Sequence, residues 1–87
     1  MERVLRLPCN EQWLSGIKSG HIPYDYRHMT PYWSKRLDGR EYDVVEFYHR
    51  FKKDLEPVRY KFDKILKGTL SYTHEPVYII MFGDKIF

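Results

Sequence analysis

Three charged residues in the first third of the chain are of types that can do acid–base or phosphate chemistry. Lys18 precedes Asp25 by seven positions, and one residue separates Asp25 from Arg27. A carboxylate next to a cation in a cleft can act as an acid–base pair, so Asp25 and Lys18 are candidate catalytic residues. Arg27 adds a planar fork of donors that can hold a phosphate or the edge of a base through two hydrogen bonds.

Arg27 also has a purely structural interpretation. In the stretch 22–27, Asp25 and Arg27 alternate with apolar and aromatic residues, which is the period of a β-strand, and this places them together on the face that points away from the aromatic side chains. On that face Arg27 can form an ion pair with Asp25, or with Glu46 on a neighbouring strand. The sequence leaves both roles of Arg27 open.

Basic and aromatic residues are interleaved after Tyr48 and His49, where one loop can offer both phosphate attraction and a stacking ring, as single-strand-binding proteins do. The candidate ligand-binding residues of the chain are Lys18, Tyr24, Arg27, Lys35, Arg36, Arg50, Phe51, Lys52 and Lys53. The simpler alternative is a solvated helix face for Lys35 and Arg36, a charged loop for 50–53, and a core position for Tyr24.

Other catalytic and metal-binding patterns do not occur in the sequence. The four histidines have neither the i, i+4 spacing of a zincin pair nor a Cys-x-x-Cys partner, so no metal site is predicted. Cys9 is the only cysteine, and there is no Gly-x-Ser-x-Gly segment and no Gly-rich phosphate loop. We therefore predict no cofactor.

Length and composition favour one small domain in a reducing compartment. The 87 residues suffice for one core, and aromatic residues, at 17 %, supply large side chains to fill it. A single cysteine excludes an intrachain disulfide, and neither a signal segment nor a long apolar run is present, so we expect a cytoplasmic protein without membrane contact. The net charge of +3 permits attraction to phosphate but provides no continuous basic stripe for duplex DNA.

Capping signals and periodicity predict two helices and five strands. A helix over 10–19 begins at Asn10 and ends before Gly20, and a second over 31–37 begins after Thr30. Strands are predicted at 3–7, where Pro8 ends the first, and at 22–27, 42–48, 58–66 and 77–82. This order predicts an α+β fold, and five strands in so short a chain are expected to curl into a small open β-barrel.

Five segments match, in order and spacing, the pattern of a known family. They are a helix ending I-K-S-G (17–20), a strand ending Y-R (26–27), the helix T-P-Y-W-S-K-R-L (30–37), the strand Y-D-V-V-E-F (42–47) and the closing strand V-Y-I-I-M-F-G (77–83). Over nearly its whole length the chain thus resembles the ASCH domain family, a branch of the PUA-like fold, and in particular short ASCH proteins of bacteriophages. The resemblance implies a PUA-like barrel whose cleft, beside the first helix, holds RNA, a nucleoside or a similar ligand.

Some members of that family are amidohydrolases that remove acyl groups from acetylcytidine. Their pattern after the first helix is K-x-x-T-x-R, in which Lys and Thr do the chemistry and Arg shapes the pocket. The corresponding residues here are Ile22, Asp25 and Arg27, so only the arginine matches. Ile22 cannot carry a proton, and Asp25 cannot replace a hydroxyl nucleophile, so this activity is not expected.

Three hypotheses follow from the sequence. The first is a module that binds RNA, single-stranded nucleic acid or a modified nucleoside in a cleft lined by Lys18, Tyr24, Arg27 and Arg50. The second is a hydrolase or ribonuclease that uses Asp25 with Lys18 or a histidine. The third is a phage-encoded inhibitor that binds a host or defence protein, and it is motivated by the resemblance alone.

Overall fold

The computed structural model describes residues 1–86 as an α+β fold with two helices and five strands. The elements are β1 (Val4–Cys9), α1 (Glu11–Lys18), β2 (Tyr24–His28), α2 (Pro31–Leu37), β3 (Val44–His49), β4 (Val58–Thr69) and β5 (Pro76–Ile86). The predicted class and the predicted order of elements are confirmed. Neither helix in this part of the chain is long and apolar enough to cross a membrane.

The strands form one mixed sheet in the order β1-β3-β4-β5-β2. β1 runs parallel to β3, and the other three pairs of neighbours are antiparallel. Within residues 1–86, the edge strands β1 and β2 do not pair with each other, so the sheet is open and the expected barrel is not closed. The connection through α1 carries the chain from one edge of the sheet to the other.

A side chain, rather than a strand ladder, links the two edges. Nη2 of Arg27 in β2 donates a hydrogen bond of 2.8 Å to the carbonyl oxygen of Pro8 in β1. In a β-strand, the N–H and C=O of one residue point to the same side. Because the Pro8 carbonyl points towards Arg27, the N–H that proline lacks would point the same way, where no strand is paired, and no hydrogen bond of the sheet is lost. This explains why β1 continues through Pro8 to Cys9, although the sequence predicted its end at residue 7.

The helix starts follow the predicted capping. The Asn10 side chain accepts from the backbone N–H of Trp13 at 2.7 Å, and the Thr30 hydroxyl accepts from that of Trp33 at 3.2 Å. Both contacts satisfy backbone donors that have no partner inside the helix. After α1, Gly20 has φ +83°, a left-handed conformation that favours glycine and turns the chain away from the helix.

The core lies on the sheet face that both helices cover. Its fully buried members come from both helices and three strands and are Leu7, Leu14, Ile17, Leu37, Val45, Phe47 and Ile80. The two tryptophans, one in each helix, are partly buried against this cluster. Long apolar side chains therefore fix both helices to one face of the sheet.

The two faces of β2 have the opposite roles to those expected. Asp25 is aligned with the buried Ile80 of β5 and is 3 % exposed, whereas Tyr24 is 42 % exposed. The core position suggested for Tyr24 and the outward position predicted for Asp25 and Arg27 are wrong. The ion pair is tolerated inside because each member neutralises the other, and this partnership is invisible in a hydrophobicity pattern.

Candidate functional site

Two adjoining hollows of about 510 and 490 Å³ form one cleft where β1 ends and the edges of the sheet face each other. We call it the Arg27 cleft. The lining shared by both hollows is Pro8, Cys9, Asn10, Arg27, Tyr32 and Trp33. One hollow is completed by Trp13, Asp25, Tyr26, His28 and Thr30, and the other by His49, Arg50 and Phe51. The cleft thus combines residues of β1, α1, β2, α2 and the end of β3 with several aromatic rings, and Arg27 lines both hollows.

Arg27 is held by three contacts. Its Nε donates to Oδ2 of Asp25 at 2.8 Å, its Nη2 donates to the oxygen of Pro8 at 2.8 Å, and its guanidinium carbon lies 4.9 Å from the centre of the Trp33 ring. The side chain is 15 % exposed. Arginine carries five N–H donors, so three of them make no hydrogen bond to any residue of 1–86. The guanidinium is thus rigidly placed but has donors left for a ligand.

Asp25 is buried beneath Arg27, with 4 % of its side chain exposed. Burial raises the pKa of its carboxyl group, and the charge and hydrogen bond of Arg27 counteract this only in part, so that the pKa stays above its ordinary value. The carboxylate therefore balances the charge of Arg27 but cannot easily reach a ligand itself.

The indole of Trp13 completes the floor of the cleft. It packs edge-on against Tyr26, with ring centres 5.9 Å apart, and it is near enough to Asp25 to lower the pKa of that carboxyl slightly. Its buried Nε1 nevertheless makes no hydrogen bond of ordinary geometry with any described residue. The floor of the cleft therefore contains a buried indole N–H close to the Asp25–Arg27 ion pair.

Cys9 lies in the cleft as a thiol rather than as a nucleophile. Burial, followed by the negative charge of Asp25, raises the pKa of the thiol. Its sulfur donates to the carbonyl oxygen of Tyr48 across 3.7 Å. Because the reactive form of cysteine is the thiolate, these surroundings do not prepare Cys9 for covalent catalysis.

Two exposed rings stand at the rim of the cleft. Tyr32 is 52 % exposed, and the Arg36 guanidinium lies over its ring at 3.6 Å from the centre. Phe51, which lines one hollow together with Tyr32, is 83 % exposed. Rings with free surface next to cations are the elements on which single-stranded nucleic acids stack.

The loop that carries Phe51 is held by a histidine. Nδ1 of His49 accepts the backbone N–H of Phe51 at 3.1 Å and that of Lys52 at 2.9 Å. The side chain thereby acts as a cap on the turn and keeps Arg50 and Phe51 beside the cleft. No spacing rule marks a histidine that caps a turn, so the sequence showed only its proximity to the basic residues.

Comparison of the chain with protein-family models, with curated proteins and with solved structures finds no match. The assignment of a site therefore depends on the geometry.

The structure brings together part of the predicted set. Asp25, Arg27, Arg50 and Phe51 line the Arg27 cleft, and Arg36 reaches it through its contact with Tyr32. Other predicted residues are not among those that line it in the described part of the chain, namely Lys18, Tyr24, Lys35, Lys52 and Lys53. The residues that sequence reasoning missed are mainly the cleft walls, namely Asn10, Trp13, Thr30, Tyr32 and Trp33.

Lys18 and Asp25, the candidate catalytic pair, lie in different places. Lys18 lines two grooves at the far end of α1, together with residues such as Pro23 and Lys85. Lys52 is engaged by Glu11 through an ion pair of 2.5 Å. Within residues 1–86 no group of three or more His, Cys, Asp or Glu side chains is arranged to hold a metal ion.

Proposed function

We propose that the protein is a small ASCH-like module of PUA-like fold that acts in the cytoplasm and binds single-stranded RNA or a modified nucleoside in the Arg27 cleft. The observation that carries the proposal is the unused N–H donors of Arg27 at the centre of a cleft walled by aromatic rings. The resemblance of the five sequence segments to the ASCH family agrees with this assignment.

A base enters with its edge towards Arg27 and a face on the ring of Tyr32. The guanidinium has donors for two acceptors, which suits the edge of a base or a phosphate better than a lysine would. Arg36 covers one side of the Tyr32 ring, which fixes the ring while more than half of the residue stays exposed. Arg50, on the rim beside Phe51, attracts the phosphate of the adjoining nucleotide.

Binding without hydrolysis is favoured by the position of Asp25. A general acid or base must lie within hydrogen-bond reach of the proton that it transfers. Asp25 is 3 % exposed and bonded to Arg27, and Lys18 lines other grooves. We therefore place the hydrolase hypothesis second.

The first test is fluorescence anisotropy with labelled single-stranded RNA, single-stranded DNA and duplexes at two salt concentrations. We expect salt-dependent binding to single strands, and Tyr32→Ala should weaken it, because stacking of one base contributes about 1–3 kcal/mol. The matched control is Tyr72→Ala, since Tyr72 is 96 % exposed in the turn between β4 and β5, away from the cleft. Equal loss in both variants contradicts the assignment, and no binding to any probe favours the inhibitor hypothesis.

The second test is incubation with acetylcytidine, followed by chromatography. We expect no deacetylated product, because Ile22 and Asp25 stand where relatives of the ASCH family carry Lys and Thr. Formation of product that disappears in Asp25→Ala contradicts the proposal of a binding module and restores the hydrolase hypothesis.

A further inference from the structure

Strand β4 has a free edge over half of its length. It pairs with β3 over residues 58–61, up to Val44 at the start of β3, and the Phe62 N–H donates to the Asp43 oxygen at 3.1 Å just beyond. The register of β4 with β5 is interrupted by bulges around Phe62. From Lys64 to Thr69, β4 pairs with β5 on one side, and no strand of residues 1–86 lies on the other. Six residues therefore present an open strand edge about 20 Å long.

The direction of the backbone groups on this edge follows from the hairpin turn. The Leu70 N–H donates to the Glu75 oxygen at 2.9 Å, so alternate pairs from there onward, such as Gly68 with Val77, exchange hydrogen bonds. The intervening residues of β4 turn their N–H and C=O away from β5. These outward-facing residues are Ile65, Lys67 and Thr69. The Pro76 oxygen agrees with this alternation, because it accepts from the backbone N–H of Met29, on the β2 side of β5, and not from β4.

The segment 38–42 of the same chain lies near this edge but leaves it accessible. Residues 38–42 run past the core face of β4, where Asp38 forms an ion pair of 3.0 Å with Lys67, and they leave a groove of about 660 Å³ between themselves and the strand. On the other face Leu66 is 43 % exposed. An apolar side chain on an open edge is the feature that monomeric proteins usually avoid.

We propose that this edge pairs with the same edge of a second copy of the chain, giving a two-fold dimer in which the two sheets are joined through their β4 strands. In an antiparallel pair, a residue whose N–H and C=O point away from β5 must lie opposite a residue of the same kind in the second copy, which limits the possible registers. When the two-fold axis passes at Leu66, Ile65 lies opposite Lys67 of the second copy and Leu66 lies opposite Leu66. Lys64 then lies opposite Gly68, which leaves room for the long side chain.

Two of the neighbouring registers are less favourable. An axis at Lys67 places two ammonium groups directly opposite each other, which is destabilising. An axis at Gly68 runs the pairing into the turn that follows Thr69. The axis at Leu66 opposes no like charges and brings the two exposed leucines into contact. The Arg27 cleft lies between the other two edges of the sheet, so this dimer leaves it open.

Cross-linking tests the register directly. Opposite residues of the non-hydrogen-bonded type have Cα atoms about 4.5 Å apart, within reach of a disulfide. Leu66→Cys in a Cys9→Ser background should therefore oxidise to a covalent dimer. Lys64→Cys is the control, because its two copies are offset by four residues, about 13 Å along the strands, and should not cross-link. Equal cross-linking of the two variants, or none in Leu66→Cys, overturns the proposal.

Sedimentation at increasing protein concentration tests the backbone pairing. Lys67→Pro removes one outward N–H without touching the β4–β5 ladder, and it should weaken dimerisation at least about tenfold. Lys67→Ala loses the same ion pair with Asp38 but keeps the N–H, so it should remain dimeric. Circular dichroism checks that both variants are folded. The dimer is excluded if the unmodified chain is monomeric throughout, or if Lys67→Pro associates as well as Lys67→Ala.

Discussion

The sheet buries two carboxylates against arginine in residues 1–86, one on each face, and their surroundings differ. Glu46 in β3 accepts from Arg6 at 2.6 Å and from Arg59 at 2.9 Å, and these arginines are 59 % and 46 % exposed. Asp25 in β2 is bonded to one arginine, Arg27, which is 15 % exposed. The first carboxylate is shared by two solvated cations, and the second is enclosed with one.

The two groups respond to burial in opposite directions. Burial raises the pKa of Glu46, but the hydrogen bonds and charges of Arg6 and Arg59 outweigh it, so the pKa is lowered. For Asp25, burial exceeds the effect of Arg27, and the pKa is raised. Glu46 thus links β1, β3 and β4 through ion pairs with arginines that stay solvated. Asp25, in contrast, lies where burial disfavours the charged form of its carboxyl group. A strained ion pair that lines a cleft is more typical of a binding site than of a structural clamp.

The largest effect that separates the two regions is expected from removal of one arginine. Arg27→Ala leaves the Asp25 charge buried and unpaired, which should lower the free energy of unfolding by about 3–5 kcal/mol at pH 7. Arg6→Ala leaves Glu46 with Arg59 and removes an exposed partner, so the loss should not exceed about 1 kcal/mol. Urea denaturation of both variants measures the difference. Similar losses of unfolding free energy in the two variants would mean that the ion pairs of Asp25 and Glu46 contribute equally to stability.

Sequence reasoning recovered the elements better than the site, for reasons that particular residues show. Asn10 and Thr30 mark helix starts through contacts three residues away, so local sequence suffices to predict them. The Arg27 cleft is assembled from β1, α1, β2, α2 and the loop after β3. No local rule places Trp33 beside Arg27 or predicts that His49 caps the loop. Of the candidates that the structure separates from the cleft, the lysines were chosen for their charge and Tyr24 for its aromatic ring.

A second prediction concerns ligand affinity. Arg27→Lys keeps the charge but loses the planar fork, so it should weaken binding of single-stranded RNA almost as much as Arg27→Ala. Anisotropy titrations should be compared with Arg6→Lys, which changes a cation on the opposite face and should leave the affinity unchanged. Melting temperatures are measured alongside. If Arg27→Ala lowers the melting temperature sharply while the folded fraction binds as before, Arg27 is structural and our site is wrong.

A third, smaller effect is the pH dependence of stability. The raised pKa of Asp25 means that the folded state holds its proton more tightly than the unfolded state, so its contribution to stability falls as the pH rises from about 3.9 through the folded pKa. The lowered pKa of Glu46 gives the reverse, a contribution that is lost as the pH falls from about 4.3 through the folded pKa. We therefore expect wild type to lose stability relative to Asp25→Asn, and to gain it relative to Glu46→Gln, as the pH is raised from 3 to 7 in urea titrations. Slopes of the same sign would show that Arg27 compensates for the burial of Asp25.

The smallest effect is expected from the basic residues beyond the cleft. It tests whether the sheet face that carries Asp25 is also the face that contacts the phosphates of the nucleic acid. Lys52 and Lys53 follow the rim residues Arg50 and Phe51, but Lys52 is engaged by Glu11, so removing both lysines removes little free charge. Lys52→Ala with Lys53→Ala should lower RNA affinity modestly for every sequence and reduce the slope of log K against log salt by a fraction of a unit to about one unit. Arg59→Ala, which leaves Glu46 paired with Arg6, removes one exposed charge from the opposite face and should leave the slope unchanged, because the phosphates lie elsewhere. A larger change in slope for Arg59→Ala than for the lysine variant would place the nucleic acid on the Glu46 face, and the surface around Glu46 rather than the Arg27 cleft would then be the binding surface.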